Sequence, residues 1–205
     1  MSKKLWFYIG FFVILVIAFF LVLSYTIPEF AHPKMRPIGT VQPFAFYNQE
    51  GKMVTDKNVA TKVYVATFFF TTCTSVCPRL NNNLKPVYSQ FKNEPGFLIL
   101  SFTCDPSTDS VSRLKWYADS ILKVDPSKWI FLTGNKDSLY AMARHSYMID
   151  DPKNETQSGE TDFLHTQLIA LVNKKGEVVK IYDGLKPSEI NQMQAEIKKL
   201  LNEES

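Results

Sequence analysis

Apolar and polar positions divide the chain into one long uninterrupted block and a series of short alternating runs. Leu5 to Leu23 is apolar without a break, and the first charge after it is Glu29. About 19 residues at roughly 1.5 Å rise span about 28 Å, close to the hydrocarbon thickness of a bilayer. The run is apolar on every face, which does not suit a helix packed by one face into a globular core. A cleaved leader has a shorter apolar region and a small-x-small site; Ser24-Tyr-Thr-Ile-Pro-Glu lacks that signature. The pattern therefore predicts that residues 1–25 form a short N-terminus and an uncleaved transmembrane helix. Lys3 and Lys4 precede the run, and the next basic residue is Lys34. The positive-inside tendency then places the N-terminus in the cytoplasm or its topological equivalent. Trp6, Tyr8 and Tyr25 lie near the two ends, where amphipathic aromatics favour the interface.

Residues 26–38 contain Pro28, Pro33 and Pro37 with little periodicity, and read as an extended tether. His32 within it is expected to be solvated. Residues 39–205 form the folded domain. Phe44 to Tyr47 and Lys52 to Val54 flank a Gly-containing turn and predict a hairpin. Lys62–Phe70 and Phe97–Thr103 are apolar almost throughout, as expected of central strands covered on both faces. Arg79–Lys92 repeats apolar residues every three or four positions and predicts a helix that Pro86 should kink or shorten. Ser110–Leu122 and Lys136–Tyr147 read as helices around a strand at Trp129–Leu132. After the acidic stretch Asp150–Asp162, Gln167–Val172 and Val178–Tyr182 predict a second hairpin, and Pro187–Asn202 a closing helix. Pro187 fits the first turn of that helix, and Glu189 and Lys198–Lys199 match its dipole. The order argues for an α/β fold with a mixed sheet.

Composition narrows the function. Hydrophobic residues at 45% with 14% aromatics support a sizeable core. The net charge is +3, and no basic stripe interleaves with aromatics. That pattern excludes a nucleic-acid partner. Three cysteines are too few for a disulfide scaffold but enough for one functional pair plus one left over.

The pair is Cys73 and Cys77, at the carboxyl end of the Lys62–Phe70 strand. Reactive groups gather at that end of strands in open α/β sheets. Pro78 suits the first helical position, which puts Cys77 at or next to the N-cap. The free N–H groups and the positive end of the dipole there, with Arg79 nearby, favour a thiolate. CxxxC is one residue longer than the CxxC redox spacing. It can close a disulfide, or spread two sulfurs around a metal; a structural disulfide or two small buried hydrophobes are the plainer alternatives. Two thiolates with an imidazole suit copper, Cu(I) above all, whereas a closed zinc site wants a fourth ligand. His165, where the acidic stretch enters the last hairpin, is the candidate imidazole. A lone histidine at a strand start is more often a hydrogen-bonded structural residue.

Taken together, these residues resemble the Sco/SenC family of membrane-tethered, thioredoxin-like copper proteins of cytochrome c oxidase assembly. Thr67-Phe-Phe-Phe-Thr-Thr-Cys-Thr-Ser-Val-Cys-Pro matches that family's apolar strand followed by T-x-C-x-x-x-C-P. Ser101-Phe-Thr-Cys-Asp-Pro-Ser-Thr-Asp, Trp129-Ile-Phe-Leu-Thr-Gly and Asp162-Phe-Leu-His-Thr follow in the family's order. The resemblance implies a thioredoxin-like (peroxiredoxin-like) mixed sheet flanked by helices, with an N-terminal hairpin and one N-terminal transmembrane helix. It implies copper held as Cu(I), with Cu(II) as a second state, by Cys73, Cys77 and His165, with Cys73 and Cys77 also the redox pair. It implies an assembly factor more than a turnover enzyme. Its partner would be the copper-site subunit of cytochrome c oxidase or another copper chaperone. The domain would face the extracytoplasmic, periplasmic side of the inner membrane. Two departures stand out: Thr74 where many members have proline, and Cys104 where an aliphatic residue is common. The parallel pairing expected of the two central strands would put Cys104 at the same sheet end, as an inert thiol or as a third reactive sulfur. Asp105 and Asp109 are expected to cap the following helix. A general thiol–disulfide oxidoreductase or thiol peroxidase needs only Cys73 and Cys77, and a redox or copper sensor shares every residue.

Overall fold

The computed structural model describes residues 3–26, 36–150 and 166–203. The chain divides into two compact units, Met1–Arg36 and Pro37–Ser205. In the first, α1 (Lys3–Thr26) is one 24-residue helix, long and apolar enough to cross a membrane. Near its C-terminal end two aliphatic hydroxyls turn back into the helix: Ser24 Oγ donates to Leu21 O and Thr26 Oγ1 to Val22 O.

The second unit is built on an eight-stranded sheet in the order β1-β8-β7-β4-β5-β6-β2-β3. The strands are β1 (Gly39–Thr40), β2 (Ala45–Asn48), β3 (Met53–Thr55), β4 (Val63–Phe69), β5 (Phe97–Thr103), β6 (Trp129–Thr133), β7 (Leu168–Val172) and β8 (Glu177–Asp183). β4, β5 and β6 run parallel, and the outer strands pair antiparallel. The mixed sheet and N-terminal hairpin agree with the sequence pattern; the two-residue β1 was too short to leave one. Both tight turns need a left-handed residue, supplied by Gly51 (φ 73°) and Gly176 (φ 75°). Asn48 and Asn173 close these turns by accepting N–H groups two and four residues on.

All seven residues of β4 and all seven of β5 are buried, because helices cover both faces of the sheet. On one face lie α2 (Val76–Phe91), α3 (Val111–Trp116, continued by a wider π-turn through Leu122) and α5 (Pro187–Asn202). There Tyr117 packs on Phe69 and Phe131, and Tyr88 on Trp129. Ser101 Oγ accepts from Trp129 Nε1 at 2.9 Å and bonds Thr67 Oγ1. The other face carries α4 (Lys136–Ala141, continued by a π-turn through Ser146), where Phe44, Phe46, Phe68, Phe102 and Tyr147 form one aromatic cluster. The two π-turns were read as plain helix, since six and five residues of pattern do not separate the two periods.

Pro86 neither ends nor shortens α2, which continues to Phe91. Its ring is exposed while Leu84 and Val87 are fully buried. The carbonyl it orphans therefore faces water, and the core holds the helix on both sides of it. α5 follows expectation: Pro187 is in the first turn, and Glu189 accepts the Asp183 N–H at 2.6 Å.

Candidate functional site

The site is made where β4 leaves the sheet. Phe69 is the last strand residue, Cys73 N–H bonds Phe70 O at 3.2 Å, and α2 starts at Val76. Cys77 is therefore inside the first turn, the second residue of α2, and Pro78 is the third. Both sit two positions deeper than the proline rule suggested. Ser75 occupies the N-cap but makes no side-chain cap bond; Cys73 Sγ accepts the Cys77 N–H instead, at 3.3 Å. A sulfur caps the helix. Proline at the third position costs nothing there, because the first N–H groups of a helix have no intrahelical partner.

The two sulfurs differ in character. Both are free thiols; Cys73 is half-buried and Cys77 is buried. Partial desolvation pushes the Cys73 thiol up, but hydrogen bonds from the Cys77 side chain and from the N–H groups of Cys77, Ser75 and Val76 outweigh it. Cys73 ends below the ordinary thiol value. Burial, then donation of its S–H to Cys73, pushes Cys77 up to about 12. The pair stores a proton on Cys77 and presents a thiolate-prone sulfur at Cys73.

Cys104 follows β5 at the same sheet end. β4 and β5 pair in parallel register with Phe69 opposite Thr103, and Cys104 N–H bonds Phe69 O at 2.8 Å. It is 1% exposed, and burial, followed by the nearby Cys77 and Asp109 charges, raises its thiol well above the ordinary value. It is the inert thiol of the two options.

Asp105 and Asp109 do not cap α3. Ser110 does, accepting from Arg113 N. Asp105 folds a local turn with Ser107 and Thr108. Asp109 is fully buried and ties the cysteine loop to the end of β5: it accepts from Thr71 N at 3.1 Å, from Thr71 Oγ1 and from Thr103 Oγ1. Arg113 Nε in turn donates to Thr71 Oγ1 at 3.0 Å. This support was missed from sequence. The signal available was a polar residue at the end of each of two adjacent strands, Thr71 and Thr103, with an acid six residues after the second.

His165 lies outside the described residues, as do most of Asp150–Asp162 and the tether histidine His32. Among the described residues no third His, Cys, Asp or Glu joins the cysteines at metal-binding distance. A separate cavity of about 380 Å³ lies between Pro43–Phe46 and α4; its lining includes His145 but no cysteine.

A mixed sheet between helix layers, with a CxxxC pair where its central strand meets a helix N-terminus, defines a thioredoxin-like protein. The sequence profile of SCO1/SenC matches residues 34–202. A SCO1 protein homolog of Bacillus subtilis is 30% identical over 163 residues, covering 77% of this chain and 81% of that one. The solved structure of BsSco, a Sco family protein with a disulfide switch, superposes with a TM-score of 0.69 at 27% identity, covering 83% and 99%. Arabidopsis thaliana ScoI, solved with copper bound, gives 0.62 at 23% identity over 80% and 98%, a match that bears on the fold alone. The chain belongs to the SCO1/SenC family.

Proposed function

We propose that this chain is a membrane-tethered copper-binding protein of cytochrome c oxidase assembly. In this reading residues 1–25 anchor it in the inner membrane, residues 26–38 hold the domain off the surface, and residues 39–205 work on the extracytoplasmic side. Cys73, Cys77 and His165 hold Cu(I), and Cu(II) as a second state. The metal passes to the copper-site subunit of the oxidase, or comes from another copper chaperone; the same thiols can reduce that subunit's cysteines.

The observation that carries the reading is the unequal thiol pair at the start of α2. Two soft sulfurs, one just before α2 and one in its first turn, suit Cu(I), and Cys73 is already partly desolvated and thiolate-prone. Loading displaces the Cys77 proton, so affinity falls as pH drops. β7 runs antiparallel to β4, so its first residue, Leu168, enters the sheet at the cysteine end. His165 is three residues earlier in sequence. One relative adds support: BsSco is placed among cytochrome c oxidase assembly proteins.

Copper titration of the full chain in detergent tests this. His165→Ala and Cys73→Ser are each expected to weaken binding by more than about 100-fold, beyond the loss typical of a ligand's outer partners. Unchanged stoichiometry and affinity for both oxidation states would remove the residue concerned from the site.

The pKa contrast also favours a second reading, a thiol–disulfide oxidoreductase, in which Cys73 attacks and Cys77 resolves. Burial keeps the Cys77 thiol protonated at neutral pH, which slows resolution. Slow resolution suits a stoichiometric reductant and disfavours rapid turnover. Multiple-turnover disulfide reduction that survives His165→Ala would establish this second reading over copper handling.

A further inference from the structure

A groove of about 320 Å³ opens directly beside Cys73, between α2 and α3. Its α2 wall is Pro78, Asn82 and Lys85, a stripe at helical spacing that covers about 10 Å. Its α3 wall carries Trp116 and Ile121, two large apolar side chains that are 44% and 48% exposed. Exposed aromatic and aliphatic groups around a concave surface mark interaction sites. The floor is rigid: Asn81 Nδ2 donates to Tyr117 OH at 2.9 Å, and both residues are buried.

Trp116 is not a loose surface residue. The Arg113 guanidinium sits 4.5 Å from its ring centroid, and the same Arg113 is bonded to Thr71 in the cysteine loop. The groove wall and the reactive loop are thus held by one side chain. The lining contains Lys85 and no carboxylate. Lys85 is half-buried and makes no ion pair among the described residues, so the groove presents an uncompensated positive charge at the end away from Cys73.

Resting on the proposed role, we infer that this groove receives the client as a short extended segment: a cysteine at Cys73, an apolar side chain against Trp116 and Ile121, and a carboxylate at Lys85. Three extended residues span about 10 Å, the length of the α2 stripe. Charge complementarity at Lys85 selects an acidic flank over a basic one. The apolar wall provides the anchor, and Cys73 is the atom presented to the client sulfur.

The test uses the full chain with Cys77→Ser in detergent and peptide mixed disulfides with thionitrobenzoate. Cys73 thiolate attacks the peptide sulfur, the peptide–thionitrobenzoate S–S bond breaks, a Cys73–peptide S–S bond forms, and thionitrobenzoate leaves as the coloured thiolate. The peptides are acetyl-Asp-Leu-Gly-Cys-Gly-Leu-Asp-amide, its Lys-for-Asp counterpart, and one with Ser at all four outer positions. The acidic apolar peptide is expected to react about tenfold faster than the serine peptide, the scale of one good interface anchor. Trp116→Ala should bring the two within about twofold, and Lys85→Glu should make the lysine peptide the faster one. Both side chains are at least partly exposed, so the fold tolerates the changes. Thionitrobenzoate-capped N-acetylcysteine amide, which lacks both anchor and free carboxylate on the cysteine, should react equally with all variants. Equal rates for all peptides, a ranking indifferent to both substitutions, or slowed exchange with the N-acetylcysteine amide would overturn the groove. Copper titration of the same Trp116 and Lys85 variants, with Cys77 restored, should match the unsubstituted chain. If that chain binds no copper but the peptide ranking holds, the copper role falls and the groove stands.

Discussion

The ends of β4 and β5 make a natural controlled comparison. Both are seven-residue buried strands, paired in register, and each is followed by a cysteine at the same sheet edge. Cys73 emerges half-buried with its thiol pushed down; Cys104 is sealed with its thiol pushed up. The strands do not set the difference. After β4 the chain turns straight into α2, so unpaired N–H groups are aimed back at the cysteine sulfur. After β5 it makes an Asp105 turn, and Asp109 folds back to close the edge. Reactivity is decided by where the next helix begins.

Alkylation kinetics should separate the two sulfurs most widely. Cys73 is expected to react at least about 1,000-fold faster than Cys104 at neutral pH, because a fully buried thiol is labelled only through local opening. Mass-resolved labelling of the full chain measures the ratio, and comparable rates would break the contrast. Next in size is Asp109→Ala. It strips partners from the Thr71 N–H and from the Thr71 and Thr103 hydroxyls. We expect a loss of about 2–4 kcal/mol in thermal unfolding, with Asp109→Asn less damaging.

Alkaline pH should act on the sealed thiols. Cys77 and Cys104 have folded values raised above the ordinary thiol value near 9. The unfolded chain ionises first, so their stabilising effect is full below pH 9 and is lost as pH rises toward about 12. One such thiol costs at most about 1.4 kcal/mol per pH unit in that window. Unfolding midpoints across it, with and without Cys104→Ala, report the slope. The smallest effect expected is that of Cys104→Ala itself at neutral pH, about 1 kcal/mol for a small core truncation. Cys73 labelling should stay within about twofold; a larger change would return Cys104 to the reactive set.

Periodicity and turn residues were enough to read the central strands, both hairpins and α5, because these follow local rules of burial and backbone freedom. The parallel neighbourhood of β4 and β5, and hence the position of Cys104, also followed from two adjacent apolar runs. The capping atoms did not. Whether Ser75, Cys73 or Cys77 closes a helix depends on a few tenths of an ångström in a loop, and sequence rules prefer oxygen to sulfur. Asp109 was misassigned for a related reason. An acid just before a helix reads as a cap, and only the folded sheet brings Thr71 within its reach.

The sulfur cap on α2 gives the protein a built-in reporter. The Cys77 amide proton is held by the atom that any bound metal, mixed disulfide or alkyl group would claim. Its exchange rate and nitrogen chemical shift are therefore coupled to what Cys73 is carrying. Loading or modification would release that proton and fray the first turn, while the rest of the helix, anchored by Leu80 and Leu84, keeps its protection. In the nitrogen-15-labelled protein, that single backbone resonance would then distinguish loaded from empty molecules.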